Sequence, residues 1–85
     1  MTEVVFSGRA RKEWSRLEHA VPKQLQKKIA FYIESGQPLK FAEKLQDPSL
    51  GEYRFRIGDY RIVFDLEGNT IFVLRVGHRK EIYKQ

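Results

Sequence analysis

The strongest constraint on the fold is an alternation of apolar and polar side chains between residues 52 and 76. Three segments show it: EYRFRI, YRIVFDL and TIFVLRV. The short breaks between them, Gly58-Asp59 and Glu67-Gly68-Asn69, are typical of hairpin turns. The pattern therefore predicts a three-stranded antiparallel meander.

The first turn also predicts which residues pair across the first two strands. With Gly58 and Asp59 in the loop, Ile57 lies opposite Tyr60, and one face of the strand pair holds only apolar and aromatic side chains. We expect that face to pack under helices. Its members are Tyr53, Phe55, Ile57, Tyr60, Ile62 and Phe64.

The opposite face of the same two strands is rich in arginine. It carries Arg54 and Arg56 on the first strand and Arg61 on the second, and the predicted register places Arg56 directly opposite Arg61. Two cations across a strand pair repel each other, which costs stability unless an anion is bound there. The face is therefore either an ordinary charged surface, partly compensated by Asp65 and Glu52, or a site for an anion.

The residues before the meander predict one strand and two helices. Residues 3–6 (EVVF) are consistent with an opening strand, and Ser7 offers an N-cap oxygen to a first helix. Pro22 suits the first turn of a second helix, which ends at Gly36, and residues 39–46 fit either a helical turn or an extended connection. The helical repeat that follows Ser7 consists of Ala10, Trp14, Leu17 and Val21.

Together these elements predict an α+β fold in the order β-α-α-β-β-β, with an N-terminal strand and a helical hairpin packed on one face of an antiparallel sheet. A chain of 85 residues has room for one domain, residues 1–85. The absence of cysteine excludes disulfides and thiolate chemistry and fits a reducing cytoplasm. Neither a signal peptide nor an apolar stretch of the roughly 20 residues that span a bilayer is present, so no membrane association is expected.

The distribution of positive charge points to a particular kind of ligand. The formal net charge is +5, and His78, Arg79 and Lys80 follow the third strand, with Tyr83 near the terminus. Because a meander returns its third strand beside the second, Arg79 and Tyr83 can approach the face that carries Arg61. Arginines hold phosphates through bidentate hydrogen bonds and an aromatic ring stacks on an unpaired base, so this combination suits single-stranded RNA better than the major groove of DNA.

Residues for acid–base or metal chemistry are few. His78 either exchanges a proton near neutral pH or forms a structural hydrogen bond in the turn after the third strand, and His19 is expected at the surface. No spacing of His, Asp and Glu resembles a metal site, so a metal-free mechanism is preferred. Arg75 is left unassigned to a face, because a one-residue change in the turn at 67–69 moves it to the other side.

Several motifs in combination resemble the RelE/ParE superfamily of toxins from toxin–antitoxin pairs. The most specific are YR at 60–61, VGHR at 76–79 and the later Tyr83. A W-x-x-L helix, a P-x-x-L-x-x-x-I helix and an A-x-K-L segment at 42–45 fit the same family, so the resemblance covers essentially the whole chain. It implies a RelE-like fold and a ribosome-dependent endoribonuclease that cleaves translated mRNA without a cofactor. It also implies a RelB-like antitoxin that holds the toxin inactive in a hetero-oligomer.

The resemblance also implies which residues form the active site. Matched residue by residue, the catalytic positions of RelE-type members fall on Arg54, Arg56, Arg61, Arg79 and Tyr83. Because RNA supplies its own nucleophile, the 2′-OH, the protein is expected to orient it and to stabilise a phosphorane-like transition state. Arg56 and Arg61 are expected on the non-bridging oxygens and Arg79 at the departing 5′-oxygen, while Tyr83 stacks on a base or moves a proton. The residues predicted to bind RNA are Arg54, Arg56, Arg61, Arg75, His78 and Lys80.

One departure from the family leaves the proton acceptor open. Members often have lysine where this chain has Arg54 and Arg56, and an arginine, unlike a lysine, essentially cannot lose its proton. Tyr83, His78 and ribosomal RNA are the alternatives. Two other functions also stay open on this scaffold: a ParE-like toxin that inhibits DNA gyrase by binding, and an RNA-binding module that has lost catalysis.

Overall fold

The computed structural model describes residues 2–83, in which two helices pack against a five-stranded sheet. In chain order the elements are β1 (Glu3–Phe6), α1 (Gly8–Ser15), α2 (Val21–Glu34), a 3-10 helix (Pro38–Phe41), β2 (Ala42–Lys44), β3 (Tyr53–Ile57), β4 (Tyr60–Glu67) and β5 (Thr70–His78). The strand order across the sheet is β1-β5-β4-β3-β2. Neither helix among the described residues is long and apolar enough to cross a membrane.

The α+β architecture is confirmed, but the sheet is mixed rather than antiparallel throughout. β1 pairs with β5 in parallel, with Glu3 opposite Thr70 and Phe6 opposite Val73. Alternation along the chain fixes strand direction only where a short hairpin joins two strands. Two helices and three strands separate β1 from β5, so the sequence pattern left the direction of β1 undetermined.

The connection that the sequence left ambiguous contains a fifth strand. Pro38–Phe41 forms a 3-10 helix, and Ala42–Lys44 then pairs antiparallel with β3 at the edge of the sheet. Three residues are too few to establish an alternating pattern, which explains why the sequence did not reveal β2. Its middle residue, Glu43, lies opposite Arg54.

The helices begin where their capping residues predict, but α1 is shorter than its apolar repeat. The Ser7 Oγ accepts a hydrogen bond from the Ala10 amide at 3.0 Å and donates to the Leu74 carbonyl at 3.1 Å. α1 ends at Ser15, so Leu17 lies in the connection and Val21 belongs to α2. The apolar repeat continues from α1 through the connection into α2 because all of its side chains face the same core. It does not mark a single helix.

The predicted register of the first hairpin is confirmed. Tyr53 lies opposite Phe64, Phe55 opposite Ile62, and Ile57 opposite Tyr60, and all six side chains face the helices. The rings of Phe55 and Phe64 stack with their centroids 4.4 Å apart, and both side chains are essentially inaccessible to solvent. α2 covers this face with Val21, Leu25, Ile29 and Tyr32.

The arginine-bearing face of the sheet is also partly covered. Val63, on this face of β4, is buried, and Gly51 approaches it so closely that a Cβ there would lie 2.7 Å from the Val63 Cγ1. Gly51 has φ of +146°, which L side chains rarely adopt, so this contact requires glycine. After β5 the chain returns over the same face, and the buried Ile82 packs on Gly77.

Candidate active site

The arginine face of β3 and β4 is assembled as the register predicts. Arg56 lies directly opposite Arg61, and Arg54 lies opposite Val63. The chain after β5 brings Tyr83 to the same face, where its hydroxyl contacts Arg54. The charge of Arg79 is close enough to influence Arg61. We call Arg54, Arg56, Arg61 and Arg79 the arginine cluster, and Tyr83 lies against it through Arg54.

Arg61 is the most deeply placed cation of the cluster, with only 6% of its surface exposed. Its Nη1 donates to the carbonyls of Gly58 at 3.0 Å and Tyr60 at 2.9 Å, which fixes the guanidinium against the hairpin turn. Burial lowers the pKa of Arg61, and the neighbouring positive charge of Arg56 lowers it further. A cation that is desolvated among like charges is poised to gain from a bound anion.

Arg54 connects the sheet to the C-terminal tyrosine. Its Nη1 donates to the Tyr83 hydroxyl at 2.9 Å, and its guanidinium carbon lies 5.7 Å from the centre of the Tyr83 ring. The hydrogen bond to Tyr83 raises the pKa of Arg54, and the Glu43 carboxylate adds to the increase. Arg54 therefore stays charged, and the Tyr83 hydroxyl is the acceptor in this contact.

Glu43 is part of the site although sequence reasoning missed it. Its Oε1 lies 3.1 Å from the Arg54 Nε and 3.6 Å from the Arg56 Nε, so one carboxylate faces two arginines of the cluster. The side chain remains 44% exposed. The sequence could have indicated Glu43 only if residues 42–44 had been predicted as a strand. Glu43 is then the cross-strand partner of Arg54, and opposite charges at such positions attract each other.

The opposite end of the cluster is anchored by Asp59, which sequence reasoning had used only as a turn residue. The Arg79 amide donates to the Asp59 carbonyl at 2.7 Å, and the Arg79 Nε lies 3.7 Å from Asp59 Oδ1. The Arg79 side chain remains 54% exposed, so it is available to a ligand. The hairpin turn thus places Arg79 beside Arg61.

Arg75 lies outside the cluster, although the sequence predicted it to bind RNA. The register of β4 and β5 shifts between Val63 and Phe64, where Leu74 is the extra residue on β5, and this β-bulge brings Arg75 opposite Val63 and so onto the outer face. Its Nη2 donates to the Glu13 Oε2 at 2.8 Å, and its Nη1 donates to the Ile82 carbonyl at 3.0 Å. The charge of Arg75 is therefore neutralised by α1, and the side chain holds the C-terminal segment in place.

His78 and Lys80, the other two predicted RNA-binding residues, lie at the end of β5. The His78 ring packs edge-on against Tyr60 with 5.5 Å between centroids, and its Nδ1 accepts a hydrogen bond from the Lys80 amide at 3.1 Å. These contacts match the structural alternative that the sequence allowed for His78. The Lys80 side chain is exposed. Within residues 2–83, no three His, Asp or Glu side chains form a group that could hold a metal ion.

Replacing Arg75 with methionine should lower the free energy of unfolding by about 2–3 kcal/mol, because it leaves a half-buried carboxylate without its main partner. Both side chains of the Glu13–Arg75 pair are less than a quarter exposed. Urea unfolding followed by the fluorescence of Trp14 measures the change. Arg9→Met is the matched control, because Arg9 faces the same carboxylate at 3.9 Å but is 66% exposed, and its loss should cost less than about 0.5 kcal/mol. Equal losses for the two variants would contradict this account.

Residues 4–83 match the family described as "ParE toxin of type II toxin-antitoxin system, parDE". The chain belongs to the RelE/ParE superfamily of toxins. It is 36% identical over 85 residues to the mRNA interferase toxin RelE of Escherichia coli, covering 94% of this chain and 87% of that protein. It is 40% identical over 73 residues to the toxin RelE3 of Methanocaldococcus jannaschii, covering 79% of this chain and 82% of the relative.

Solved structures of RelE/ParE toxins share this fold. A chain of the toxin–antitoxin complex RelBE2 from Mycobacterium tuberculosis superimposes with a TM-score of 0.76 at 28% identity, covering 92% of this chain and 98% of that one. The arrangement of two helices on a five-stranded mixed sheet therefore matches that of solved RelE toxins.

Proposed function

We propose that this RelE/ParE toxin is a ribosome-dependent endoribonuclease that cleaves mRNA during translation. The observation that carries the proposal is the buried Arg61, held by the hairpin turn among Arg54, Arg56 and Arg79 with the Tyr83 hydroxyl nearby. Glu43 pairs with Arg54 and Arg56, and Asp59 pairs with Arg79, while the Arg61 guanidinium donates to two backbone carbonyls. Such a group of oriented donors suits a reaction in which negative charge develops on phosphate oxygens. The relative in Escherichia coli bears the name mRNA interferase toxin RelE.

The chemistry proposed is attack of the RNA 2′-OH on the adjacent phosphorus. The bond from O2′ to phosphorus forms as the 2′-OH gives up its proton to water, while the bond from phosphorus to O5′ breaks and O5′ takes up a proton from the Tyr83 hydroxyl, which water restores. The products are a 2′,3′-cyclic phosphate and a 5′-OH. Arg61 and Arg56 bind the non-bridging oxygens, and the buried position of Arg61 strengthens its interaction with the charge that develops there. The cluster also holds the 2′-OH in line with the departing oxygen, which removes much of the entropic barrier.

Arg79 and Tyr83 serve the departing side of the reaction in this proposal. Arg79 is exposed beside Arg61 and stabilises the 5′-oxygen as its bond to phosphorus breaks. The Tyr83 hydroxyl accepts a hydrogen bond from Arg54 and retains a hydrogen that it can donate to RNA. Tyr83 is also 37% exposed, so part of its ring can stack on an unpaired base. Arg54 and Arg56 contribute charge rather than proton transfer, because an arginine essentially does not give up its proton.

The proposed partner is a RelB-like antitoxin. Related toxins have been solved as RelB–RelE complexes from Mycobacterium tuberculosis, Methanococcus jannaschii and Escherichia coli. A cognate antitoxin rich in acidic and apolar residues would neutralise the arginine cluster and form a hetero-oligomer with this chain, taken as one domain over residues 1–85. Since the substrate is mRNA under translation, the site of action is the cytoplasm.

The test is cleavage of a defined mRNA by the purified toxin in the presence of translating ribosomes. Primer extension should reveal new 5′ ends inside the reading frame only when ribosomes are present. Enzymatic end analysis should show a cyclic phosphate on the upstream fragment. Intact mRNA under these conditions would contradict the proposal, and equal cleavage of naked RNA would contradict its ribosome dependence.

DNA gyrase inhibition is the second candidate function, because the matching family carries the ParE description. The two candidates make opposite predictions for one preparation of the protein. A gyrase inhibitor slows supercoiling of relaxed plasmid and leaves translated mRNA intact, whereas an mRNA interferase does the reverse. We expect the mRNA interferase result, because the fixed Arg61 guanidinium and the Tyr83 hydroxyl beside Arg54 favour action on a phosphodiester.

A further inference from the structure

The position of Tyr83 depends on contacts that lie outside its own segment. Tyr83 follows β5, beyond Ile82, whose buried side chain fixes the backbone on Gly77. The described hydrogen bond of the Tyr83 side chain is the one that its hydroxyl accepts from the Arg54 Nη1 at 2.9 Å. The direction of the phenol ring over the arginine cluster therefore depends on where the Arg54 guanidinium points.

The Arg54 guanidinium is in turn held by Glu43. The Arg54 Nε donates to the Glu43 Oε1 at 3.1 Å, while Nη1 of the same planar group reaches Tyr83. Because a guanidinium is rigid and planar, fixing its Nε also fixes the direction of its Nη1. An arginine side chain without such a partner would populate many rotamers, at a cost of about 2 kcal/mol of conformational entropy when it is ordered.

The sheet places Glu43 for this contact. Glu43 is the middle residue of β2 and lies directly across from Arg54 of β3, so the two side chains leave the same face of neighbouring strands. The same carboxylate oxygen is 3.6 Å from the Arg56 Nε, which reduces the repulsion between the two arginines. Glu43, Arg54 and Tyr83 thus form a continuous chain of hydrogen bonds from the sheet edge to the tyrosine.

We propose that Glu43 is a positioning residue for the reaction: its carboxylate orients Arg54, and Arg54 sets the Tyr83 hydroxyl over the arginine cluster. This inference rests on the proposed function, and it assigns Glu43 no exchange of protons. The alternative role for a carboxylate at this place is that of proton acceptor from the 2′-OH. The two roles are separable because glutamine keeps an oxygen that accepts a hydrogen bond from the Arg54 Nε but does not take up a proton.

Kinetics of Glu43→Ala and Glu43→Gln test the assignment in the ribosome-dependent cleavage assay. Glu43→Ala should lower kcat by about 10- to 100-fold, because a misoriented reacting group costs rate. Its KM should not rise, since removal of an anion leaves the cluster more attractive to RNA phosphate. Glu43→Gln should retain kcat to within about threefold. If glutamine is as damaging as alanine, Glu43 is a proton acceptor and the positioning role is wrong.

A double-mutant cycle checks that Glu43 acts through Tyr83. In a Tyr83→Phe background, Glu43→Ala should have little further effect on kcat, whereas additive losses would overturn the inference. Glu3→Ala is the matched control, because it removes one exposed carboxylate from β1, the strand at the other edge of the same sheet, and gives the same change in net charge. It should leave kcat unchanged.

NMR spectra test the positioning role of Glu43 without any measurement of cleavage. The positioning role and the proposed mRNA cleavage can therefore be tested separately. In NMR spectra of the folded protein, the Arg54 Nε–H should be protected from exchange, and Glu43→Ala should abolish that protection and shift the Tyr83 ring signals. Glu43→Gln should preserve both. Unchanged Tyr83 signals in Glu43→Ala would overturn the positioning role whatever the enzyme assay gives. Absence of cleavage by the unsubstituted protein would instead overturn the proposed function.

Discussion

Replacing Arg61 with alanine should lower the rate of mRNA cleavage by about 100- to 1000-fold, the loss expected when one preorganised donor to a developing oxyanion is removed. Its guanidinium is held against the Gly58 and Tyr60 carbonyls before any substrate arrives, so it needs no reorganisation at the moment of reaction. Single-turnover cleavage on programmed ribosomes measures the effect. Arg16→Ala, which removes an exposed arginine at the end of α1, is the control for net charge and should retain activity.

The same substitution should change the free energy of unfolding by no more than about 1 kcal/mol. Arg61 lies opposite Arg56, and its pKa is lowered by burial and by that neighbour, so the folded protein holds this cation at a cost. Removing the Arg61 side chain relieves the cost of burying a cation beside Arg56. This gain offsets the loss of the two hydrogen bonds to the Gly58 and Tyr60 carbonyls. Arg61→Lys, which keeps the charge but lacks the planar fork, should also be strongly impaired. A variant that loses activity only because it unfolds would show Arg61 to be structural.

Replacing Phe55 with alanine should lower the free energy of unfolding by about 3–5 kcal/mol, the usual cost of removing a buried aromatic ring. Phe55 is 1% exposed and stacks on Phe64, and its ring centroid lies 4.9 Å from that of Tyr32 on α2. A chain of this size is expected to have only about 4–13 kcal/mol of stability in total, so a large part of it would disappear. Urea unfolding of the purified variant measures the loss.

The matched control for this prediction is Phe31→Ala. Phe31 belongs to the same aromatic group through Tyr32 and Phe41, but it is 57% exposed, so its removal should cost less than about 1 kcal/mol. Equal losses for both variants would show that the exposed part of the aromatic group, rather than the Phe55–Phe64 stack, stabilises the sheet. Because Phe55 lies between Arg54 and Arg56 on β3, replacing it with alanine should also reduce mRNA cleavage. Phe55→Leu should retain most of the stability and most of the cleavage rate.

The sequence predicted the parts of the structure that depend on neighbours along the chain. A two-residue turn at Gly58-Asp59 leaves one register for β3 and β4, so the inward aromatic face and the Arg56–Arg61 pairing both followed from it. The starts of α1 and α2 were likewise predicted from local residues, the Ser7 cap and Pro22 in the first turn. The roles predicted for Arg54, Arg56, Arg61, Arg79 and Tyr83 remain predictions, but the structure brings these five side chains to one place.

The features that the sequence did not predict depend on contacts between distant segments. The direction of β1 was undetermined because no hairpin ties it to β5. The face occupied by Arg75 depended on a β-bulge that leaves no mark in the alternation. Glu43 joined the arginine cluster only through a strand of three residues, and Glu13 reached Arg75 across 62 positions of sequence.

The Glu13 carboxylate also covers part of an open strand edge. β1 ends at Phe6, and beyond that point the Glu13 Oε1 accepts the hydrogen bond of the Val76 amide at 3.0 Å, in place of a neighbouring strand. Another copy of the chain therefore finds no long open row of amides along β5. β1 and β2, the two outermost strands, offer only four and three residues. Short or occupied edges discourage strand-by-strand stacking between copies, so concentrated toxin should resist fibril growth.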